Sequence, residues 1–500
     1  MNTPLQSPFR ALTLALLLGV VADLLLFGRW LGVSAPLFVA LGLVALGWLS
    51  AREGRPPSRV AIAASAGALL FASMLALRDA PTLVVLNSLA VLTLLLLLVV
   101  HFRGVADHRF ADWLGRLIYT SVMIGLLPFT LVFQCLGALP VGQIKLGRSA
   151  PVLRGLALAT PVLVCFGALL VAADSVFASY VGQLFSFRLP LDANTVVRHM
   201  FMIGFAAFIC AGGLVGALSA AAPTLPAEGD TQRLHAERLA WRPIGAVEAL
   251  SVLIAVNALF GAFVAIQGTY LFGGLDTLAR TGLSFAEYAR RGFFELVTVA
   301  CLALALLLAL ALLTDRSTAI KRRRFTAASA LVVVLVLAML ASAFQRMWLY
   351  EAAYGFTELR VYTHTFMVWL AVLLTLFLFT LARARLRLFA IGGIASALLY
   401  LLVLNLVNPQ ALIVQANAAR YAASGDLDAV YLSTLSADAA PAIVAHMPAF
   451  DQPAQATLDA AIRDQSATIG AALSEQGWPA WTWARAQAAR AATQLPEVNP

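Results

Sequence analysis

The sequence predicts an all-α chain: a polytopic transmembrane helix bundle of about eleven spans, twelve if one weak block also crosses, with a small C-terminal helical domain. Three observations carry this. Of 500 residues, 61% are hydrophobic and 12% charged, against about 25% charged in a soluble domain. A soluble chain of this length has no core large enough to hide so much apolar surface. The apolar residues also fall in blocks close to the ~20 residues that cross about 30 Å of hydrocarbon as helix.

In chain order the blocks are 10–27, 31–50, 60–77, 82–101, 118–139, 151–173, 197–220, 246–272, 292–314, 325–346, 361–382 and 387–407. The first is read as a span and not as a cleavable signal, because Ala11 to Phe27 is long, contains Asp23 and lacks a small-x-small cleavage pattern. The weak member is 118–139, which Pro128, Gln134 and Gly137 interrupt. If every block crosses from a cytoplasmic N-terminus, inner loops hold 14 Lys/Arg and outer loops 16, which is no bias. If 118–139 stays at the cytoplasmic face, the split becomes 21 inside against 9 outside. The positive-inside rule selects the second arrangement. It makes 118–139 re-entrant or interfacial and gives eleven spans in an inner cell membrane, with the N-terminus cytoplasmic and the C-terminal domain extracytoplasmic.

Residues 1–407 are thus the transmembrane domain, with a cytoplasmic linker at about 221–245 that carries Pro223, Pro226 and Gly229. Residues 408–500 form the soluble helical domain. Asn408 and Pro409 suit an N-cap and a first turn, and Gly425, Pro448, Pro453 and Gly477-Trp478-Pro479 separate its Ala-rich helices. Charge follows the same division: residues 1–407 carry 30 Lys/Arg against 17 Asp/Glu, and residues 408–500 carry 4 against 8. The net +9 therefore reflects loop orientation and excludes nucleic acid as a partner. The implied partners are membrane lipids and, for 408–500, a protein. Cys135, Cys165, Cys210 and Cys301 all lie in apolar blocks, with no Cys-x-x-Cys and no Cys/His cluster. No metal site, disulfide framework or cofactor is implied.

Polar residues within spans are costly and are functional candidates. Asp23, Asn87, Asp174, Gln267, Glu295 and Asn405 fall toward the outer half, alongside Glu248 and Asn257 elsewhere in the spans. They suggest a polar cavity open to the exterior, or interhelical glue. Two charged stretches stand near them. In the first, Glu287, Arg291 and Glu295 form an acid–base–acid row on one helix face. In the second, a helix starting near Thr357 puts Glu358, Tyr362, Thr365 and Trp369 on one face and Arg360 with His364 on another. Glu287, Arg291, Glu295, Glu358, Arg360 and His364 make up the candidate polar cluster, expected to meet at the outer face. Such a cluster clamps a phosphate or carboxylate, with His as acid/base partner, or it locks two helix entries together. None is assigned a catalytic role.

Phe272-Gly-Gly, then Glu287-Tyr-Ala-Arg-x-Gly-Phe-Phe-Glu-Leu296, then Tyr354-Gly-x-Thr-Glu-Leu-Arg-Val-Tyr-Thr363 resemble a bacterial membrane family, domain of unknown function 4173, related to 4153. The tail phrase Gly425-x-Leu-Asp428, Tyr431-Leu432, Leu435-Ser436-x-Asp438-Ala439-x-Pro441 is similar to its C-terminal signature. The likeness covers roughly residues 150–445 and departs at Arg291, where the resemblance implies an acidic residue. It implies an architecture and supplies no reaction.

Three functions remain open. The reading adopted is transport or cell-envelope assembly, with a polar cavity facing outside. A transferase or ligase acting on a lipid-linked substrate is one alternative, although the first outer loop is only about Gly28 to Trp30, too short for the long acidic loop of many-helix glycosyltransferases. A non-enzymatic scaffold or sensor with a partner-binding tail is the other.

Overall fold

The computed structural model describes residues 5–102, 110–138, 193–218, 245–272, 293–314 and 316–496. Through the first half of the chain run α1 (Pro8–Leu26), α2 (Ser34–Arg52), α3 (Arg59–Leu77), α4 (Pro81–His101), α5 (Phe110–Ile124), α6 (Leu127–Ala138) and α7 (Ala193–Leu218). Then come α8 (Ala246–Phe272), α9 (Phe293–Leu313), α10 (Ala319–Tyr354), α11 (Glu358–Ala382) and α12 (Leu386–Val407). The tail holds α13 (Pro409–Ser424), α14 (Ala429–Ser433), α15 (Ala440–His446), α16 (Gln452–Gln476) and α17 (Trp483–Ala492), with short 3-10 turns at Met447–Ala449 and Trp478–Ala480. The fold is an all-α polytopic bundle.

Ten helices among the described residues are long and apolar enough to cross a membrane, and they coincide with ten of the twelve apolar blocks. The 151–173 block and nearly all of the 221–245 linker lie outside the described residues. The weak block is two helices, α5 and α6, of 15 and 12 residues, both short of the ~20 that a span requires. Pro128 in the first turn of α6 has no N–H to continue a ladder. Gly125 and Leu126 instead donate to the Val122 and Met123 carbonyls at 3.1 and 2.8 Å.

Helix α10 outruns its apolar block at both ends, with 36 residues from Ala319 to Tyr354. That is about 54 Å of helix against about 30 Å of hydrocarbon. Apolarity marks only its middle. Its ends are set by Thr318, whose side chain accepts from the Lys321 N–H at 3.3 Å, and by Gly355, whose φ of 78° ends it. Lys321 to Arg324 are exposed in its first turns, and Arg346 to Glu351 continue its far end as helix.

The chain divides into two compact units. The first holds residues 1–107, 112–223 and 467–486. There α1 runs against α7, and Gly19 makes the close approach possible: a Cβ at this position would lie 2.5 Å from the Ile203 carbonyl oxygen and 2.8 Å from the Ala207 Cβ. Buried Glu53 accepts from the backbone N–H groups of Gln6 and Ser7 at 2.9 and 3.0 Å, placing an acid at the start of α1, where the helix dipole favours one. Arg55 donates to the Leu218 carbonyl at the end of α7, at 2.5 Å. Overpacking at the α1–α7 contact is expected to cost about 1–3 kcal/mol, so Gly19→Val should lower the melting temperature in detergent. An unchanged transition would contradict the close approach.

The second unit holds residues 108–111, 224–466 and 487–500. Helix α10 is packed by α8, α9 and α11, around a core that includes Leu253, Leu307, Val333, Met347, Leu374 and Phe377. Asn257 of α8 donates to the Ala328 carbonyl of α10 at 2.9 Å, a polar bond between spans. Glu248 is exposed in the first turn of α8. Asn408 sits at φ 52°, the left-handed region that Asn tolerates. It closes α12 and opens α13, accepting from the Ala411 N–H at 3.3 Å and donating to the Asp438 carbonyl at 3.0 Å. Helix α13 then lies on α11 and α15.

Candidate functional site

The second unit gathers its polar groups where α10 ends, α11 begins and α13 packs. Glu358 opens α11, and its backbone N–H donates to Tyr431 Oη at 2.7 Å. Its carboxylate accepts from Gln410 Nε2. The Gln410 Oε1 in turn accepts from the Ser436 N–H at 2.8 Å and the Ser436 hydroxyl at 2.6 Å. Asn417 holds the preceding turn: its Nδ2 donates to the Phe356 carbonyl at 2.8 Å and its Oδ1 accepts from the Phe356 N–H at 2.9 Å. Helix starts leave N–H groups without partners of their own, and here tail side chains supply them. Burial pushes the Tyr431 phenol up from its ordinary value, with the Glu358 N–H opposing. The phenol therefore keeps its proton at neutral pH while accepting from the backbone.

Arg360 donates to the Tyr354 and Gly355 carbonyls at 3.0 and 2.5 Å, and its guanidinium lies 4.3 Å from the Tyr350 ring centroid. These are carbonyls at the end of α10, where a cation is favourable. One turn along α11, His364 Nδ1 lies 2.9 Å from Glu351 Oε2, with side-chain exposures of 13% and 3%. Phe344 meets the imidazole edge-on at 3.9 Å. The second Glu351 oxygen is buried with no hydrogen-bond partner among the described residues. Beyond it, Thr365 and Tyr400 pair through their hydroxyls at 3.0 Å, and Trp369 stacks on Tyr400 at 5.6 Å.

Glu358, Arg360 and His364 thus take partners from α10, the turn after it and the tail. Glu295 is exposed in the first turn of α9. Glu287, Arg291, Asp174 and the Gln267 side chain lie outside the described residues. In the first unit Asp23 pairs with His199, Oδ2 to Nδ1 at 2.8 Å, with Phe27 edge-on to the imidazole at 4.9 Å. Asn87 and Asn405 are buried, and Asn405 Nδ2 donates to the Leu401 carbonyl of its own helix. Among the described residues no three His, Cys, Asp or Glu side chains gather as metal ligands would.

The tail phrase contains Tyr431 and Ser436 without assigning them to a site, and Glu351, Gln410, Asn417 and His199 have no place among the candidate residues. A signal for two of these exists. Gln410 and Asn417 are seven apart and share one face of an otherwise Ala-rich helix. Asn417→Ala strips partners from both the N–H and the carbonyl of Phe356, which costs about 1–3 kcal/mol. Thermal melting should show that loss, and an unshifted midpoint would contradict the clamp on this turn.

A family model described as a domain of unknown function, DUF4153, matches residues 65–446. This is the related family, 4153, of the resemblance drawn from the motifs. The match contains both the 354–363 motif and the tail phrase. No curated protein and no solved structure matches the chain.

Proposed function

The chain belongs to the DUF4153 family, and from that premise we propose that it is a scaffold of cell-envelope assembly in the inner membrane. On this reading its tail is held at the extracytoplasmic ends of the spans and performs no covalent chemistry. The observation that carries the reading is the meeting of two distant motifs. Residues 354–363 and the tail phrase bond to one another through Glu358, Gln410, Tyr431 and Ser436. Side chains that a phosphate or carboxylate substrate would need are engaged within the chain: Glu358 by Gln410, and Arg360 by two carbonyls. That favours a clamp over a transferase. The extracytoplasmic side rests on the 21-to-9 split of loop cations.

The test is complementation in the native host, read as exclusion of a dye that an intact envelope keeps out. Gln410→Leu, which removes the middle of the network, is expected to fail even when the protein reaches the membrane in normal amount. Full complementation by Gln410→Leu would sink the scaffold reading.

One observation favours a second reading, transport: the Glu351 oxygen beside His364 that has no hydrogen-bond partner among the described residues is a buried acceptor site between two spans. Purified protein in proteoliposomes, followed with an internal pH-sensitive dye, tests it. A flux that Glu351→Gln abolishes would establish transport, and its absence from the wild-type protein would remove it.

A further inference from the structure

The tail carries one segment unlike the rest. Residues 477–483 read Gly-Trp-Pro-Ala-Trp-Thr-Trp, with no charge. Ala480 and Thr482 are fully buried, whereas Trp478, Trp481 and Trp483 are 60%, 37% and 46% exposed. Water-facing domains rarely place three large aromatics outward in so short a stretch, and such a patch marks a contact surface.

What the segment sits on identifies the contact. Within the first unit it docks on the loops joining α1 to α2 and α3 to α4. The Val33 N–H donates to the Trp481 carbonyl at 3.0 Å, and the Trp30 N–H donates to Gln476 Oε1 at 2.7 Å. Gly32 admits this approach, because a Cβ there would collide with the Trp481 carbonyl oxygen and lie 2.8 Å from the Ala480 carbonyl carbon. Arg485 fastens the segment: it pairs with Asp79 at 2.6 Å, donates to the Leu31 and Ala480 carbonyls and lies over the Trp30 ring. Trp30 to Val33 fall between the end of α1 at Leu26 and the start of α2 at Ser34. Asp79 falls between the end of α3 at Leu77 and the start of α4 at Pro81. The segment is therefore bonded, through the Trp481 carbonyl and the flanking Gln476 and Arg485, to residues only a few positions beyond the ends of membrane-spanning helices.

We propose that the Trp478–Trp483 turn seats in the interfacial layer of the bilayer and anchors this part of the tail to lipid. Indole suits that layer, with an apolar ring toward the acyl chains and an N–H toward the headgroups. Its cation, Arg485, is buried and already paired. The anchor accordingly works through apolar contact and not through anionic headgroups.

The full chain in phosphatidylcholine vesicles brominated near the glycerol end of the acyl chains tests this by tryptophan fluorescence. Subtracting the spectrum of the Trp478→Phe/Trp481→Phe/Trp483→Phe protein isolates the turn's indoles from the nine tryptophans of the chain. Most of that difference emission should be lost to the brominated lipid, aqueous iodide should leave it largely intact, and added phosphatidylglycerol should not change it. Gly32→Val, which blocks docking, should return the indoles to iodide. If the triple variant does not fold, Trp478→Phe alone gives the same difference for the most exposed ring. Difference emission that iodide quenches and brominated lipid spares would overturn the proposal.

Discussion

Arg485→Met is expected to release residues 467–486 from the loops they dock on and to lower stability by about 3–5 kcal/mol. Arg485 is 6% exposed and joins the tail to Asp79, to two carbonyls and to the face of Trp30. Removing it takes the 2.6 Å ion pair from Asp79, whose side chain is 19% exposed. Residual access to water places the loss nearer the lower end of that range. The double variant Arg485→Met/Asp79→Leu should recover much of it, because replacing both partners removes both charges of the pair. Limited proteolysis and thermal unfolding in detergent measure both effects. A single variant as stable and as protease-resistant as the parent would rule out this attachment.

The second large effect belongs to His364. In His364→Leu, Glu351 keeps its burial, at 2% exposure, and loses the partner of Oε2 when Oε1 already has none among the described residues. A buried carboxylate left so costs about 3–5 kcal/mol. His364→Leu/Glu351→Leu should melt close to the parent if the pair only joins α10 to α11. The same double variant separates the two functional readings. A scaffold tolerates it once folded, whereas a transporter that uses Glu351 folds and carries nothing.

Most of the helices were legible because a hydrocarbon layer imposes one length on every span and apolarity reports it. The ends of α10 were not, since Arg346 to Glu351 stay helical beyond the apolar block and a span-length criterion is blind to them. The weakness of 118–139 was legible in Pro128, and the helix does break beside it. Capping chemistry was readable for the same local reason at Asn408, whose side chain accepts from the Ala411 N–H ahead of Pro409, whereas α11 starts after Thr357 without a side-chain cap. Partner identity was not local. Glu358 meets Gln410, and Asp79 meets Arg485 some four hundred residues away. Charge and spacing within one segment say that a buried group needs a partner without saying which segment brings it. The sequence also presents residues 477–483 as part of a soluble domain, because their attachment depends on Gly32 and Asp79 far upstream.

Glu358 of the 354–363 motif and Gln410 of the tail hold each other, and through Gln410 the motif reaches Ser436 of the tail phrase. A double-mutant cycle on Glu358→Ala and Gln410→Ala, read by thermal unfolding of the purified protein, tests it most directly. Side chains in contact couple by about 0.5–3 kcal/mol, and those without shared partners add within about 0.5 kcal/mol. A coupling of about 1 kcal/mol or more is expected, each single change costing most of what the pair costs together. Losses that simply add would mean that Glu358 and Gln410 do not hold each other, and the clamp would have to be abandoned.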